Sequence, residues 1–391
     1  MNHRFFTLLG MIGVLFSLCL AGLPSTGLAA GWQPELRVGL FFGQSGAELQ
    51  VNVPAVLQES DTEKRMVFFS PGKTMKIAVQ SGKLTVDGKR TDAAKLSLRP
   101  QQKASLDTMQ VTVNGKTYYG GIQILLRNGG MTIINLVNTE DYLRGVVPRE
   151  MPPEWPAEAL KAQAVAARTF ALKHRKRHES EGYDLCASTH CQLYDGTASE
   201  SESADAAIRA TSGMVLMYGK ELINANFHTD SGGMTESSQA VWGNHAPYLQ
   251  PVKESATKTF PWKQSFSLEN FSKQLAKAGY PVGTVKNVKL SKLTIGKGAS
   301  DRSASGRVKI MRVIGTKGST TIEGNELRSM LALKSTLFDV QLQGNQIHFI
   351  GYGFGHGVGM SQYGAKTLAG SWSYDKILSH FYKGVTLKKL Y

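Results

Sequence analysis

Apolar and polar residues alternate from about Leu36 to Leu136, as in Arg37-Val38-Gly39-Leu40-Phe41-Phe42 and Met109-Gln110-Val111-Thr112-Val113, with turn residues between the runs. A period of two predicts strands that turn one face to a core. After a strand predicted over residues 132–137 the pattern changes. From Pro156 to about His178, the positions Leu160, Ala164, Ala167, Ala171, His174 and His178 recur at helical spacing and form a one-sided stripe. Its many alanines predict close backbone approach to a neighbour. A second helix is predicted over residues 204–211, with Ser201 or Ser203 as cap and Gly213 as terminator. Strands over residues 214–218 and 222–228 follow, then more alternation over 285–350, then an amphipathic helix over 374–383 closed by Gly384. The fold class is α+β, rich in strands, with a long helix after a proline-bound loop.

The N-terminus departs from both patterns. A basic start (His3, Arg4), an apolar run from Phe5 to Leu23 and the small residues Gly27-Leu28-Ala29 read as a secretory signal, or as an uncleaved N-terminal anchor, over residues 1–29. The chain is then organised as a β-rich region over 30–130 and a second region over 131–391. Its 391 residues, 41% of them hydrophobic, suffice for a sizeable core. The expected location is exported: extracytoplasmic, at the cell wall or membrane surface. Forty-five Lys and Arg against thirty Asp and Glu give a net charge of +15, which suits a polyanionic partner. Export argues against nucleic acid and for a bacterial wall with its carboxylates and anionic polymers. The surplus reads as spread over the chain with one cluster at Lys173-His174-Arg175-Lys176-Arg177-His178, and the alternative is that it only keeps a secreted protein soluble.

Four segments carry candidate chemistry. Glu150 precedes Pro152, Pro153 and Pro156, which remove backbone donors and predict a stiff irregular loop rather than a helix. A carboxylate held there could be an acid catalyst, or a solvated side chain favoured by the following helix N-terminus. Cys186 and Cys191, with His190 between them and His174 and His178 upstream, suit a tetrahedral zinc site made of His178, Cys186, His190 and Cys191. A Cys186–Cys191 disulfide is the competing reading, and free surface histidines a third. The run Gly351-Tyr352-Gly353-Phe354-Gly355-His356-Gly357-Val358-Gly359 reads as a strand with one face cleared of side chains, beside which His356, Ser361, Gln362 and Tyr363 could line a sugar groove. Tight core packing of that strand is the alternative. His228, and Ser231 and Gly232 in the following Thr229-Asp230-Ser231-Gly232-Gly233, shape a turn or touch substrate; the protease nucleophile pattern does not fit.

Taken together, residues 142–172, His190-Cys191-Gln192-Leu193-Tyr194-Asp195-Gly196, residues 227–233 and residues 353–365 resemble the SpoIID/LytB family, the stage II sporulation protein D group. The resemblance implies a peptidoglycan lytic transglycosylase that cuts peptide-stripped glycan strands, in sporulation or wall remodelling. It implies Glu150, in Glu150-Met151-Pro152, as the catalytic acid. It also implies a structural zinc on His178, Cys186, His190 and Cys191, although only three residues separate Cys186 from His190. Other members are amidase enhancers, so a non-catalytic wall binder that stimulates an amidase is the rival from another class. A polyanion-binding surface protein is a third. Retention of the motif glutamate favours the enzyme, since a pure binder has no need of an acid there.

Overall fold

The computed structural model describes residues 33–102, 108–255 and 259–391, so the N-terminal signal or anchor reading lies outside the described residues. Among those described, no helix is long and apolar enough to cross a membrane. The chain is α+β and rich in strands.

The alternating region forms two sheets. The first has the order Leu185–Cys186, Glu35–Gln44, Gly130–Asn138, Gly121–Arg127, Lys95–Pro100, Ala55–Glu59, Arg65–Phe69; its neighbours are antiparallel except for the parallel first pair. The second is antiparallel in the order Lys116–Tyr119, Gln110–Val113, Gly46–Val51, Met75–Gln80, Lys83–Val86, Lys89–Arg90. Alternation turns Val38, Ile122 and Ile133 of the first sheet and Leu49, Ile77 and Val111 of the second into one core. Strands from both sides of residue 130 pair in the first sheet, so the N-terminal region and the region after it share that core.

Eight helices are described: α1 (Thr139–Glu150), α2 (Ala157–Lys173), α3 (Glu202–Ala210), α4 (Ser238–Trp242), α5 (Leu268–Lys277), α6 (Gly324–Met330), α7 (Gln362–Leu368) and α8 (Tyr374–Phe381). The first corrects the loop expected around Glu150. Asn138 caps α1 by accepting from the Asp141 N–H at 2.9 Å, and Tyr142, Leu143, Val146 and Val147 supply a buried helical stripe. The prolines act only after it. Pro152 favours extended geometry at Met151 (φ −138°, ψ 129°), which ends the helix at Glu150. Pro148 sits in the last turn, where its missing donor costs one intrahelical bond.

Helix α2 ends at Lys173 rather than near His178, and it is not one-sided. Ala164, Ala167 and Ala171 face the sheet core, whereas Ala162, Val165 and Ala166 face a second core with Leu216, Ile377 and Phe381. A helix apolar on both sides belongs between two layers, and small side chains let both approach. Its Arg168 is fully buried and bridges Glu140 of α1 through two bonds, 2.8 and 2.7 Å long. Tyr391 holds the same carboxylate from the C-terminus, at 2.5 Å.

Helix α3 keeps the Ser201 cap, and the strand Met214–Tyr218 is as expected. The strand predicted over 222–228 is only two short pieces, Glu221–Leu222 and Phe227–His228, because the intervening residues are irregular. Residues 262–351 build a third core of their own from two three-stranded sheets, α5 and α6. This segment holds fourteen lysines and arginines against five acidic residues, so the basic surplus is concentrated rather than spread.

Candidate active site

Glu150 ends α1 with its side chain in a cleft of about 390 Å³, lined on other sides by His190, Leu193, His228, Trp242, His356 and Gln362. Its Oε1 accepts from the Leu193 N–H at 3.2 Å. Burial raises the carboxyl pKa above its ordinary value, against the Leu193 N–H, the Arg149 charge and the Gln362 side chain, which favour the carboxylate. The helix acts in the same direction as burial. At the C-terminal end of α1 the peptide dipoles present negative charge, the reverse of the helix N-terminus invoked for a solvated carboxylate. The apolar neighbours are Phe170, Leu193 and Phe227. Trp155 packs instead edge-on against Tyr363 and beneath Lys366.

Residues expected along one sugar groove fall on two sides of the segment Ser361-Gln362-Tyr363. His228, His356 and Gln362 line the Glu150 cleft. His228 is buried, with Nδ1 at 3.2 Å from the Val358 carbonyl and Nε2 without a partner among the described residues. Its pKa and that of His356 are pushed down, first by burial, so both rings are neutral at pH 7; that of His356 falls to about 3. Ser231 and Gly232 are not in the cleft. The Ser231 hydroxyl accepts from the Gly233 N–H at 2.9 Å, and Gly232 takes a left-handed φ of 78° within a buried turn. Ser361 caps α7, accepting from the Gly364 N–H at 3.1 Å, and Tyr363 lines a different cavity.

The glycine run is not a strand with a cleared face. Gly353, Gly355, Gly357 and Gly359 all have positive φ, and the backbone folds irregularly back on residues 226–233. A Cβ on Gly359 would stand 2.0 Å from the Asn226 carbonyl oxygen, so no side chain fits there. That close approach lets Phe227–His228 pair in parallel with Met360–Ser361, which brings His228 beside Gln362.

The second cavity, of about 340 Å³, holds a carboxyl that no motif signalled. Glu254 lies there with Tyr363, Thr259 and His380. The Ser361 hydroxyl donates to its Oε2 at 3.3 Å, and among the described residues its Oε1 has no partner. Burial pushes its pKa up to about 7. Residues around it lie far apart in sequence, so nothing in the local pattern identifies it.

His178, Cys186, His190 and Cys191 converge beside the cleft, with one candidate ligand atom from each within 4.8 Å of the others. Both cysteines are free, so the disulfide reading is not followed. Cys191 Sγ lies 3.5 Å from His178 Nε2 and 3.7 Å from His190 Nδ1, and Cys186 Sγ lies 3.6 Å from His190 Nδ1. A tetrahedron with metal–ligand bonds of about 2.0–2.3 Å has edges of about 3.5 Å, so the donor set fits a zinc ion in size and chemistry. The far nitrogen of His178 meets Glu181 at 2.7 Å, the outer contact that orients a ligating imidazole. His174 does not join the cluster; it packs against Phe170.

Comparison with known proteins agrees with the motifs. Residues 127–218 match the stage II sporulation protein family, and residues 244–359 match a domain of unknown function. Stage II sporulation protein D of Bacillus subtilis is 31% identical over 315 residues, covering 73% of this chain and 87% of that protein. An uncharacterised protein of Brachyspira hyodysenteriae is 32% identical over 283 residues, 71% of this chain and 73% of its own. The amidase enhancer of B. subtilis is 30% identical over 368 residues, which is 82% of this chain but only 50% of the enhancer's length. With a sporulation protein D matched over most of its length, the chain belongs to the stage II sporulation protein D family.

Proposed function

We propose that the protein is an exported lytic transglycosylase that cleaves the bond between N-acetylmuramic acid and N-acetylglucosamine in peptide-stripped glycan strands. One observation carries the reading: among the described residues, Glu150 is the only carboxyl lining the cleft, and it is held towards its protonated form. Hydrolytic glycosidases use two carboxyl groups, one of them for water or for a covalent intermediate. A transglycosylase needs one. Glu150 gives its proton to the departing glycosidic oxygen as the C1–O bond breaks. The resulting carboxylate then takes the proton of the muramic C6 hydroxyl, whose oxygen bonds to C1 and closes a 1,6-anhydro ring. No water enters, and the acid is restored. The raised pKa serves the first step, and the Leu193 N–H supports the carboxylate in the second.

We also propose a structural zinc on His178, Cys186, His190 and Cys191. Four protein ligands leave no open position, so the ion would supply cross-linking rather than catalysis. It would tie residue 178 to the segment that carries His190 and, three residues on, the Leu193 N–H donor.

Purified protein incubated with peptide-free glycan strands is expected to yield anhydromuramyl ends by mass spectrometry. Glu150→Gln should lower their formation by about 10²–10⁴-fold. Intact strands with wild-type, metal-loaded protein would overturn the enzyme reading, and reducing ends would replace it with hydrolysis. Similarity to the amidase enhancer supports a second reading, a wall binder that stimulates an amidase. That reading expects intact strands together with a faster amidase.

A further inference from the structure

Residues 262–351, most of the stretch that matches a domain of unknown function, contribute nothing to the Glu150 cleft. Their sheet of Val285–Lys289, Ile310–Gly315 and Gly318–Glu323 buries one face, where Met311, Val313 and Ile322 share a core with Phe271 and Leu275 of α5 and Leu327 of α6. The other face is open. Register fixes its rows: Lys289 lies opposite Arg312, which lies opposite Thr321, and Asn287, Ile314 and Ser319 form the next row. All of these but the half-buried Ile314 are exposed. Lys286 in the first strand, with Lys309 and Lys317 beside the ends of the second, adds three more exposed cations, against a single carboxylate in the three strands, Glu323.

These five cations are not neutralised within the chain. Among the described residues, the segment makes two ion pairs, Lys273–Glu269 and Arg302–Asp339, both at 2.7 Å, and neither draws on the five. Arg312 donates instead to the Ser319 hydroxyl at 3.0 Å. The N-terminal sheet pairs such a charge: Lys76 stands directly across from Glu48 and meets it at 3.4 Å. Like charges directly opposite in a sheet cost stability, so the Lys289–Arg312 pairing is unfavourable in the free protein. Lysines on edge strands are explained by protection against stray strand pairing. Arg312 lies on the central strand, where no edge needs guarding. An anion that bridges the two strands removes the repulsion.

We propose that this open face binds a linear phosphate polymer, a polyol phosphate chain of the cell wall, and holds the protein on it independently of the cleft. A chain with one negative charge per repeat meets successive cations across the strands and gains by releasing its counterions. The three strands hold no aromatic residue, so the face offers no ring on which a nucleic-acid base could stack. That favours a polymer without bases. The inference takes the source of the polymer from the export reading and does not depend on the chemistry at Glu150.

Calorimetry with the full chain and purified poly(glycerol phosphate) tests it. Wild-type protein should bind, and more weakly as salt rises. Lys289→Ser combined with Arg312→Ser should bind about tenfold or more weakly at low salt and lower the slope of log affinity against log salt by about two, one for each contact removed. Lys64→Ser combined with Lys73→Ser removes the same charge from exposed loops of the N-terminal region and should leave binding unchanged. Lys289→Glu sets a carboxylate opposite Arg312, so it should raise the melting temperature while weakening binding, a combination that misfolding does not produce. Glu150→Gln should bind the polymer as wild type does, which keeps this result separate from the cleavage test. Absence of binding by the wild-type protein, equal loss in the N-terminal variant, or tighter binding of single-stranded DNA or of phosphatidylglycerol vesicles at equal phosphate concentration would each overturn the proposal.

Discussion

Two carboxyl groups with raised pKa values sit on opposite sides of Ser361-Gln362-Tyr363, and their surroundings differ. Glu150 is supported by a backbone N–H and lines the cleft with three imidazole rings, whereas at Glu254 burial outweighs the Ser231 and Ser361 hydroxyls that favour the carboxylate, and one oxygen has no partner among the described residues. Glu254 therefore binds its proton more tightly in the folded chain than in the unfolded one. Its contribution to stability is complete below the ordinary value of 4.5, falls as pH rises from there, and is lost above about 7. Glu254→Gln keeps an acceptor for Ser361 and removes the charge. Thermal melts should show the variant equal to wild type near pH 5 and several degrees more stable near pH 8; an offset that does not vary with pH would contradict this account. Neither carboxyl was distinguishable from a solvated one by local sequence alone. Glu150 was legible only through its motif, and Glu254 not at all.

Among the elements, the helix that ends on Glu150 and the segment from His178 to Cys191 together build one wall of the cleft. The apolar pairs Tyr142-Leu143 and Val146-Val147 carry the period of α1, but the prolines beyond it suggested a loop. The prolines mark where the helix stops, since Met151 is the residue whose backbone Pro152 restricts. The segment that carries the proposed zinc ligands has little regular structure, a single-turn helix at Glu179–Glu181 and the two-residue strand Leu185–Cys186, so its order would depend on a bound ion. Elemental analysis should find one zinc per chain, lost in Cys191→Ser, with a lowered melting temperature. Paired loss of both thiols without metal would restore the disulfide. The glycine run follows the same logic. Its alternation matches a strand pattern, yet four left-handed residues prevent one, because glycine permits backbone geometry that its spacing does not reveal.

At the scale of the molecule, α2 joins two cores while residues 262–351 keep a third. The buried Arg168–Glu140 pair ties α2 to α1, and Tyr391 adds the C-terminus, so loss of one partner would leave a buried charge unpaired. The third core is centred on Phe349, packed against Phe338 at 5.4 Å and Phe271 at 5.9 Å. Separate cores imply separate cooperative units. Calorimetry should resolve two transitions, and Phe349→Ala should lower one of them by about 3–5 kcal/mol while leaving the other in place. A single transition that shifts as a whole would show that the cores unfold together. Much of the net positive charge lies in this unit, which composition expresses only as a total.

The sequence by itself determined the strand-rich character of the N-terminal region, the presence of α2 and α3, a serine cap before α3 and the motif set that marks the family. These depend on residues near one another in the chain, where hydrophobic period and capping chemistry act. Only the tertiary structure decided that His228, His356 and Gln362 share the cleft of Glu150 while Ser231, Gly232, Ser361 and Tyr363 do not. It alone revealed Glu254. Proton affinity and charge pairing are set by burial and by distant groups, as where Leu193 meets Glu150 across 43 residues and Ser361 meets Glu254 across 107. Those contacts exist only once the chain has folded.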